Sequence, residues 1–460
     1  MIFRYAWIIL LFLSASNAHG QDSDALAASR ELLAVRGVDE SYFQFLQDGQ
    51  AISDDEWETV YRILFAFDDL RKAGMYRFVH TRISWDELSE TPETLRAALF
   101  SIRGTVTSIQ KVALSNEEAD RFQMENVFLL QLALPEDRTA TVISKSIPRD
   151  WPTAENSPLS LTVSTTAMFL KVGDTQSATV WLTDSMAWHP QNAAESPSLG
   201  DALIRLGRWN VDVNLVHQLR HGDPLTPADR TLFYQMLHTV RSLPNQQWQE
   251  AVPSEVNRFQ IAELLKNARQ QVGKLYTIQG VARRCVRIEI QDADIRAMYG
   301  LDHYFEVEVF VPLPTRLLLK DPVQNVEVEY QTYPFVFCLT ELPAEMKAGP
   351  DIRTDVQVAG TYFKLWAFRN QLLENQAPAG ERRFQKAPLL IGKSLQLVSN
   401  APATGSNWML FVGSAFVISL LLVGWVLVRN ERFDRKLREQ RLQLPDALPE
   451  ISDEPESSTQ

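Results

Sequence analysis

The chain has two cysteines and seven histidines in 460 residues, and neither set is grouped as metal or nucleophile chemistry requires. Structural zinc needs paired cysteine or histidine ligands at short spacing, and zinc hydrolases need two histidines one helical turn apart with a glutamate between them. Here the nearest approach is His217 and His221, which stand at i, i+4 without such a glutamate or a cysteine. Glycine patterns for phosphate or dinucleotide binding are missing, as is the G-x-S-x-G nucleophile elbow. No catalytic residue, metal or cofactor is therefore expected. Positive charge is also short: 45 Lys and Arg stand against 57 Asp and Glu, a net charge of -12. A chain without a basic footprint is not expected to bind nucleic acid.

Long apolar runs are scarce but well placed. The opening MIFRYAWIILLFLSASNAHGQ has Arg4, an apolar stretch from Tyr5 to Leu13, and small residues at Ala18 and Gly20, the pattern of a cleaved signal peptide over 1–20. The second run, Trp408 to Val428, carries no charge and is long enough to cross about 30 Å of hydrocarbon. Arg429, Arg432, Arg435, Lys436, Arg438 and Arg441 follow it, so the positive-inside rule puts the tail, 429–460, in the cytoplasm. The expectation is a single-pass cell-membrane protein with a periplasmic, N-terminal ectodomain and a stalk over 399–407. Gly413, Ser414, Ala415 and Ser419 would allow two such spans to approach, although no GxxxG is present, so a homodimer stays open.

Within the ectodomain the chain repeats itself. LQDGQAIS at Leu46 returns as LRHGDPLT at Leu219, and residues 38–70 lie on 211–243 without a gap at a slide of 173. Identical pairs are Val38/Val211, Asp39/Asp212, Leu46/Leu219, Gly49/Gly222, Tyr61/Tyr234, Leu64/Leu237 and Leu70/Leu243. The placement has a physical sense. Asp39 and Asp212 are positioned to cap a short helix, and Gly49 and Gly222 suit a left-handed position at its end. Ser53 with Glu56, and Thr226 with Asp229, have the spacing of a capping box that starts a second helix. Its buried face is read as Trp57, Val60, Tyr61, Leu64 and Phe65 in one copy and Phe233, Tyr234 and Leu237 in the other. A DNA-reading helix-turn-helix is disfavoured by Asp54, Asp55, Glu56 and Glu58, which repel phosphate.

The likeness continues into β-rich sequence, RGTVTSIQKV at Arg103 against QGVARRCVRI at Gln279, and VFLLQLALP at Val127 against YFEVEVFVP at Tyr304. Five or six short strands per copy, with a glycine midway along the first, suit a small barrel such as the OB fold. The fold class expected is α+β, a tandem duplication of helical hairpin plus OB-like barrel followed by one transmembrane helix. Its hairpin regions are 21–96 and 202–271, its barrels 97–188 and 272–398, and 189–201 is the linker.

In GTYFKLWAF strand alternation puts Tyr362, Lys364, Trp366 and Phe368 on one face. With Arg283, Arg284 and Arg287 from the first strand of that barrel, they are expected to form an aromatic and basic binding surface; the alternative is that they pack against the hairpin or the sister module. Cys285 and Cys338 are either a disulfide or two buried thiols, since export permits a bridge. The phrase GTYFKLWAF, with the leader, acidic ectodomain and C-terminal span, resembles exported single-pass membrane proteins of unassigned function in planctomycete-type bacteria, a resemblance that implies location and architecture. The function expected is a membrane-tethered extracytoplasmic binding or scaffold protein, its second barrel recognising an envelope protein or polymer. Alternatives are a structural assembly subunit without a small ligand and a cryptic envelope enzyme.

Overall fold

The computed structural model describes residues 23–80, 82–151, 159–174, 178–257, 261–320, 327–369 and 384–398. The leader, the stalk, the apolar run 408–428 and the basic and acidic tail lie outside the described residues. Among the described residues no helix is long and apolar enough to cross a membrane.

Among the described residues thirteen strands follow one another as β1 (Val79–His80), β2 (Leu99–Ala113), β3 (Asn126–Leu134), β4 (Arg138–Ser144), β5 (Leu161–Val172), β6 (Ala178–Thr183), β7 (Ala187–Trp188), β8 (Leu275–Glu289), β9 (His303–Lys320), β10 (Glu327–Leu339), β11 (Thr354–Arg369), β12 (Phe384–Gly392) and β13 (Leu395–Leu397). They build two sheets within an α+β chain. In the first, the run β2-β3-β4-β6-β5 returns through pairing of β5 with β2; in the second, β8-β9-β10-β12-β11 returns through pairing of β11 with β8. The strand orders are the same. In both, the third and fifth strands in chain order pair in parallel, β4 with β6 and β10 with β12, and the remaining pairs of the run are antiparallel.

Local irregularities repeat as well. A Cβ on Gly104 would lie 2.7 Å from the Ala133 carbonyl oxygen, and one on Gly280 would lie 2.5 Å from that of Phe310. Only glycine tolerates that approach. Each glycine is followed by a bulge, between Val106 and Ser108 or between Ala282 and Arg284. A second pair of bulges falls between Phe169 and Lys171 and between Tyr362 and Lys364.

The repeated sequence forms what its caps dictate. Asp39 accepts the Ser41 N–H at the start of the helix Glu40–Gln44, and Asp212 accepts the Asn214 N–H at Val213–Gln218, which is a 3-10 helix rather than an α-helix. Gly49 and Gly222 both adopt positive φ, 76° and 85°. Capping boxes at Ser53/Glu56 and Thr226/Asp229 open the helices Trp57–Lys72 and Pro227–Ser242, each of 16 residues. Val60, Tyr61, Ile63, Leu64 and Phe67 are buried on the first, and Leu232, Phe233, Met236 and Leu237 on the second. Trp57, Phe65 and Tyr234, expected on the same faces, are only half-buried. Two short helices within the strand runs, Asn116–Phe122 and Ala293–Tyr299, also occupy equivalent places.

The stretch 189–201 is packed as a joint. Gly207 abuts Pro190 so closely that a Cβ would meet its oxygen at 2.4 Å. Buried Glu195 accepts the Trp188 indole N–H at 3.1 Å and the Gln191 N–H at 2.6 Å. His189 stands between Ser164 Oγ, 2.8 Å from Nε2, and the Val211 carbonyl, 3.1 Å from Nδ1. Burial depresses its pKa to about 4. Beside it Asp212 accepts the Trp188 N–H at 2.9 Å, and burial outweighs its N–H donors to push its carboxyl up to about 6.

Candidate functional site

The repeated loop docks each helical hairpin onto a strand of its sheet. Gly49 N–H donates to the Val172 carbonyl at 3.1 Å, and Gly222 N–H donates to that of Leu365 at 2.7 Å. Directly before these acceptors lie Lys171 and Lys364, both fully buried. Lys171 Nζ lies 2.6 Å and 2.8 Å from the two carboxylate oxygens of Glu56, and donates to the carbonyls of Gln47 and Ala51. Lys364 Nζ lies 2.9 Å from Asp229 Oδ2 and donates to the Pro224 carbonyl at 3.3 Å. Ala51 and Pro224 are themselves equivalent at the slide of 173.

Glu56 and Asp229 thus serve two purposes, closing the capping box and neutralising a lysine from the sheet. At Glu56 burial raises the carboxyl pKa, but the Lys171 hydrogen bond and the Gln47 and Ser53 N–H groups outweigh it and hold the group below its ordinary value. An ammonium group in the interior needs a paired carboxylate and further acceptors, and these two have both. Sequence reading missed the clasp, although its signal was present: each copy places one lysine near the end of its fourth run strand, in TTAMFLKV and GTYFKLWAF.

This clasp corrects the expected binding surface. Tyr362 and Lys364 are 0% exposed, so neither belongs to an open face. The cause is the bulge: Tyr362 faces Leu390 and Lys364 faces Leu389, so Phe363 is extra and the strict alternation is lost. Tyr362 donates its hydroxyl to the Leu264 carbonyl at 3.4 Å, and burial raises its pKa. The hairpin covers what alternation alone would leave open.

Nor are the arginines brought to the aromatics. Ala282 pairs with Thr354, at the start of β11, whereas Trp366 lies twelve residues further along, about 40 Å of strand contour. Arg283 is exposed with its guanidinium 4.2 Å from the Phe310 ring centre. Arg284 is held by Glu306 at 2.5 Å and Glu308 at 3.0 Å, and Arg287 by Glu289 at 3.2 Å and His303. The basic half of the expected surface is therefore largely neutralised by its own acidic neighbours.

What remains is an apolar edge. Trp366 and Phe368 are half-buried and stacked, with ring centres 5.0 Å apart. Asp223 pairs with Trp366 and accepts the Ala367 N–H at 3.2 Å, and Leu225, two residues on, is 39% exposed. Phe384 on β12, 43% exposed, is at the same end of the strands but pairs with Arg369, so it lies on the face opposite Phe368. Among the described residues the first half has no such edge: β5 stops at Val172, and Gly173 N–H donates to the Ala178 carbonyl.

Cys285 and Cys338 are free and buried. They lie on strands separated by β9, facing Val307 and Glu306 respectively, hence on opposite sides of the sheet. Strands two apart are about 10 Å distant, beyond the roughly 7 Å that a disulfide spans. The bridge reading is corrected to two thiols. His217 and His221 do not converge either: His217 Nε2 meets Asp150 at 2.7 Å, and His221 Nδ1 accepts the Leu365 N–H at 3.3 Å. Among the described residues no group of three or more His, Cys, Asp or Glu is arranged to hold a metal ion.

No family model matches the chain, and no curated protein matches it. Among solved structures, a small single-stranded DNA-binding protein from Streptomyces coelicolor is similar at 13% identity over 27% of this chain and 88% of its own, with a TM-score of 0.13. A likeness at that score carries no argument for fold or ligand.

Proposed function

We propose that the chain is an exported, single-pass membrane protein of the binding or scaffold kind, its ectodomain a duplicated unit of helical hairpin and OB-like barrel. Support for the barrel reading comes from the strand run, which returns to its first strand and, in chain order, pairs its third and fifth strands in parallel. Support for tethering comes from the leader and the charge-flanked apolar run in the sequence. The observation that carries the recognition reading is the asymmetry of the two halves. The clasp is kept in both, while among the described residues the second alone continues its paired strands beyond the clasp, where β11 carries stacked Trp366 and Phe368 near exposed Leu225. Aromatic rings at an edge are the side chains most used as binding anchors. The partner is an apolar or aromatic segment of an envelope protein or polymer, without any cofactor.

A photo-crosslinking aromatic placed at Phe368 in native membranes should give a discrete adduct, and one at exposed Lys111 in the first half should not. Leu225→Ser, at an exposed position, should abolish the adduct with the melting temperature unchanged. Equal adducts from both positions, or none, would refute the reading. Protease added outside should leave 429–460 protected; a digested tail overturns the topology.

A further inference from the structure

The two clasps differ at the side chain that accepts the strand N–H. In the first half it is Asp48, whose Oδ1 accepts the Val172 N–H at 2.8 Å and whose Oδ2 is held by Arg96 at 2.5 Å. The equivalent residue in the second half is His221, whose Nδ1 accepts the Leu365 N–H at 3.3 Å. Where Arg96 stands, the second half has Val272.

A histidine nitrogen that accepts a hydrogen bond must carry a bare lone pair, so this contact requires neutral imidazole with its proton on Nε2. A second proton would enter at Nδ1 and point directly at the Leu365 N–H, turning an attraction into a clash of donors. The surroundings disfavour the cation on balance, with Asp229 alone among the contributing charges acting the other way. Lys364 from β11 and Arg269 from the helix Ala268–Gln271 disfavour it, and Asp229 from the helix Pro227–Ser242 is already engaged by Lys364. On the same loop are Arg220 and Asp223, and Lys386 of β12 reaches across Gly222. Burial first, then Lys364 and Arg269, depress the His221 pKa to about 4.

We propose that His221 is an acid-sensitive latch: its protonation releases the loop 221–225 from the Leu365–Ala367 end of β11, while the equivalent clasp at Asp48 stays closed. Three hydrogen bonds lie along this short ladder, Leu365 to His221, Gly222 to Leu365 and Ala367 to Asp223, so loss of the first weakens the others. The released loop includes Leu225 and the backbone that flanks Trp366, so the latch would regulate the apolar edge. That consequence rests on the recognition reading above, whereas the opening itself does not.

The sign follows from linkage. With a folded pKa near 4 and an ordinary value of 6.5, closure is fully stabilised at neutral pH and weakens as pH falls from 6.5 through 4. Amide hydrogen exchange of the full chain in membrane discs, corrected for the intrinsic effect of pH, should show protection at Gly222 and Leu365 falling about tenfold or more between pH 7 and 4.5. Gly49 and Val172 report the first clasp in the same sample. His221→Asn keeps an uncharged acceptor for Leu365, so it should hold protection at pH 7 and lose the pH dependence. The latch is overturned if all four amides respond alike to acid, or if the response persists in His221→Asn. If the exchange behaves as expected while crosslinking from Phe368 does not change between the two pH values, the latch stands and its bearing on recognition falls.

Discussion

Removing the lysine of the first clasp should be among the most damaging single changes in the chain. Lys171 is 0% exposed and its partner Glu56 2%, and Lys171→Met leaves the carboxylate in the interior with only the Gln47 and Ser53 N–H groups. Breaking a buried pair from one side costs about 3–5 kcal/mol, because the remaining charge has lost its counterion. Glu56→Gln/Lys171→Met removes both charges and keeps a hydrogen-bonding side chain at the capping box, so it should recover more than half of that loss. The full chain in detergent, unfolded by urea and followed by far-ultraviolet circular dichroism, gives the comparison. The penalty also has a pH signature. The Glu56 carboxyl titrates below its ordinary value, so the stabilisation is present above about pH 4.3 and is lost as pH falls through the lower folded value. A Lys171→Met cost below about 1 kcal/mol, the range of exposed pairs, would mean that water reaches the pair and that it is not what fastens the hairpin.

Other outcomes follow from the same geometry. Gly280→Ala would drive a Cβ to 2.5 Å from the Phe310 carbonyl and should cost about 1–3 kcal/mol, whereas Gly200→Ala, with open space around it, should be near neutral by thermal melting. Unfolding the oxidised protein without reductant and alkylating it should label both Cys285 and Cys338 by mass spectrometry; an unlabelled pair would contradict their placement on opposite faces of the sheet. Asp212 has a folded pKa near 6, above its ordinary value, so its burial is unfavourable once ionised, and stability falls as pH rises between about 4 and 6. Asp212→Asn should therefore raise the melting temperature at pH 7.5 and leave it nearly unchanged at pH 4.5, and an equal shift at both values would exclude that account.

Sequence alone determined the parts whose rules are local. Caps at Asp39 and Asp212, left-handed glycines 49 and 222, capping boxes, and the order of helix and strand all depend on neighbours a few positions away, so two copies of one pattern could be matched by eye. Gly104 and Gly280 were legible in the same way, as glycines inside strands where a backbone passes close. Tertiary structure decided what depends on a second segment. Alternation along GTYFKLWAF could not know of an inserted residue at Phe363, because a bulge is defined against the partner strand, here β12. Nor could it show that Lys364 meets Asp229, 135 residues earlier in the chain, and is thereby drawn inside with Tyr362. Arg283 and Trp366 looked like one surface because each belongs to the same sheet, yet the register of β8 on β11 holds them at different ends. The motif that repeats most clearly is the clasp, since burying a lysine demands a fixed carboxylate and fixed carbonyls. Among the described residues the edge that sets the halves apart comes from four more residues of paired strand past Leu365, the equivalent of Val172, a change that becomes visible when the two strand pairs are laid against each other.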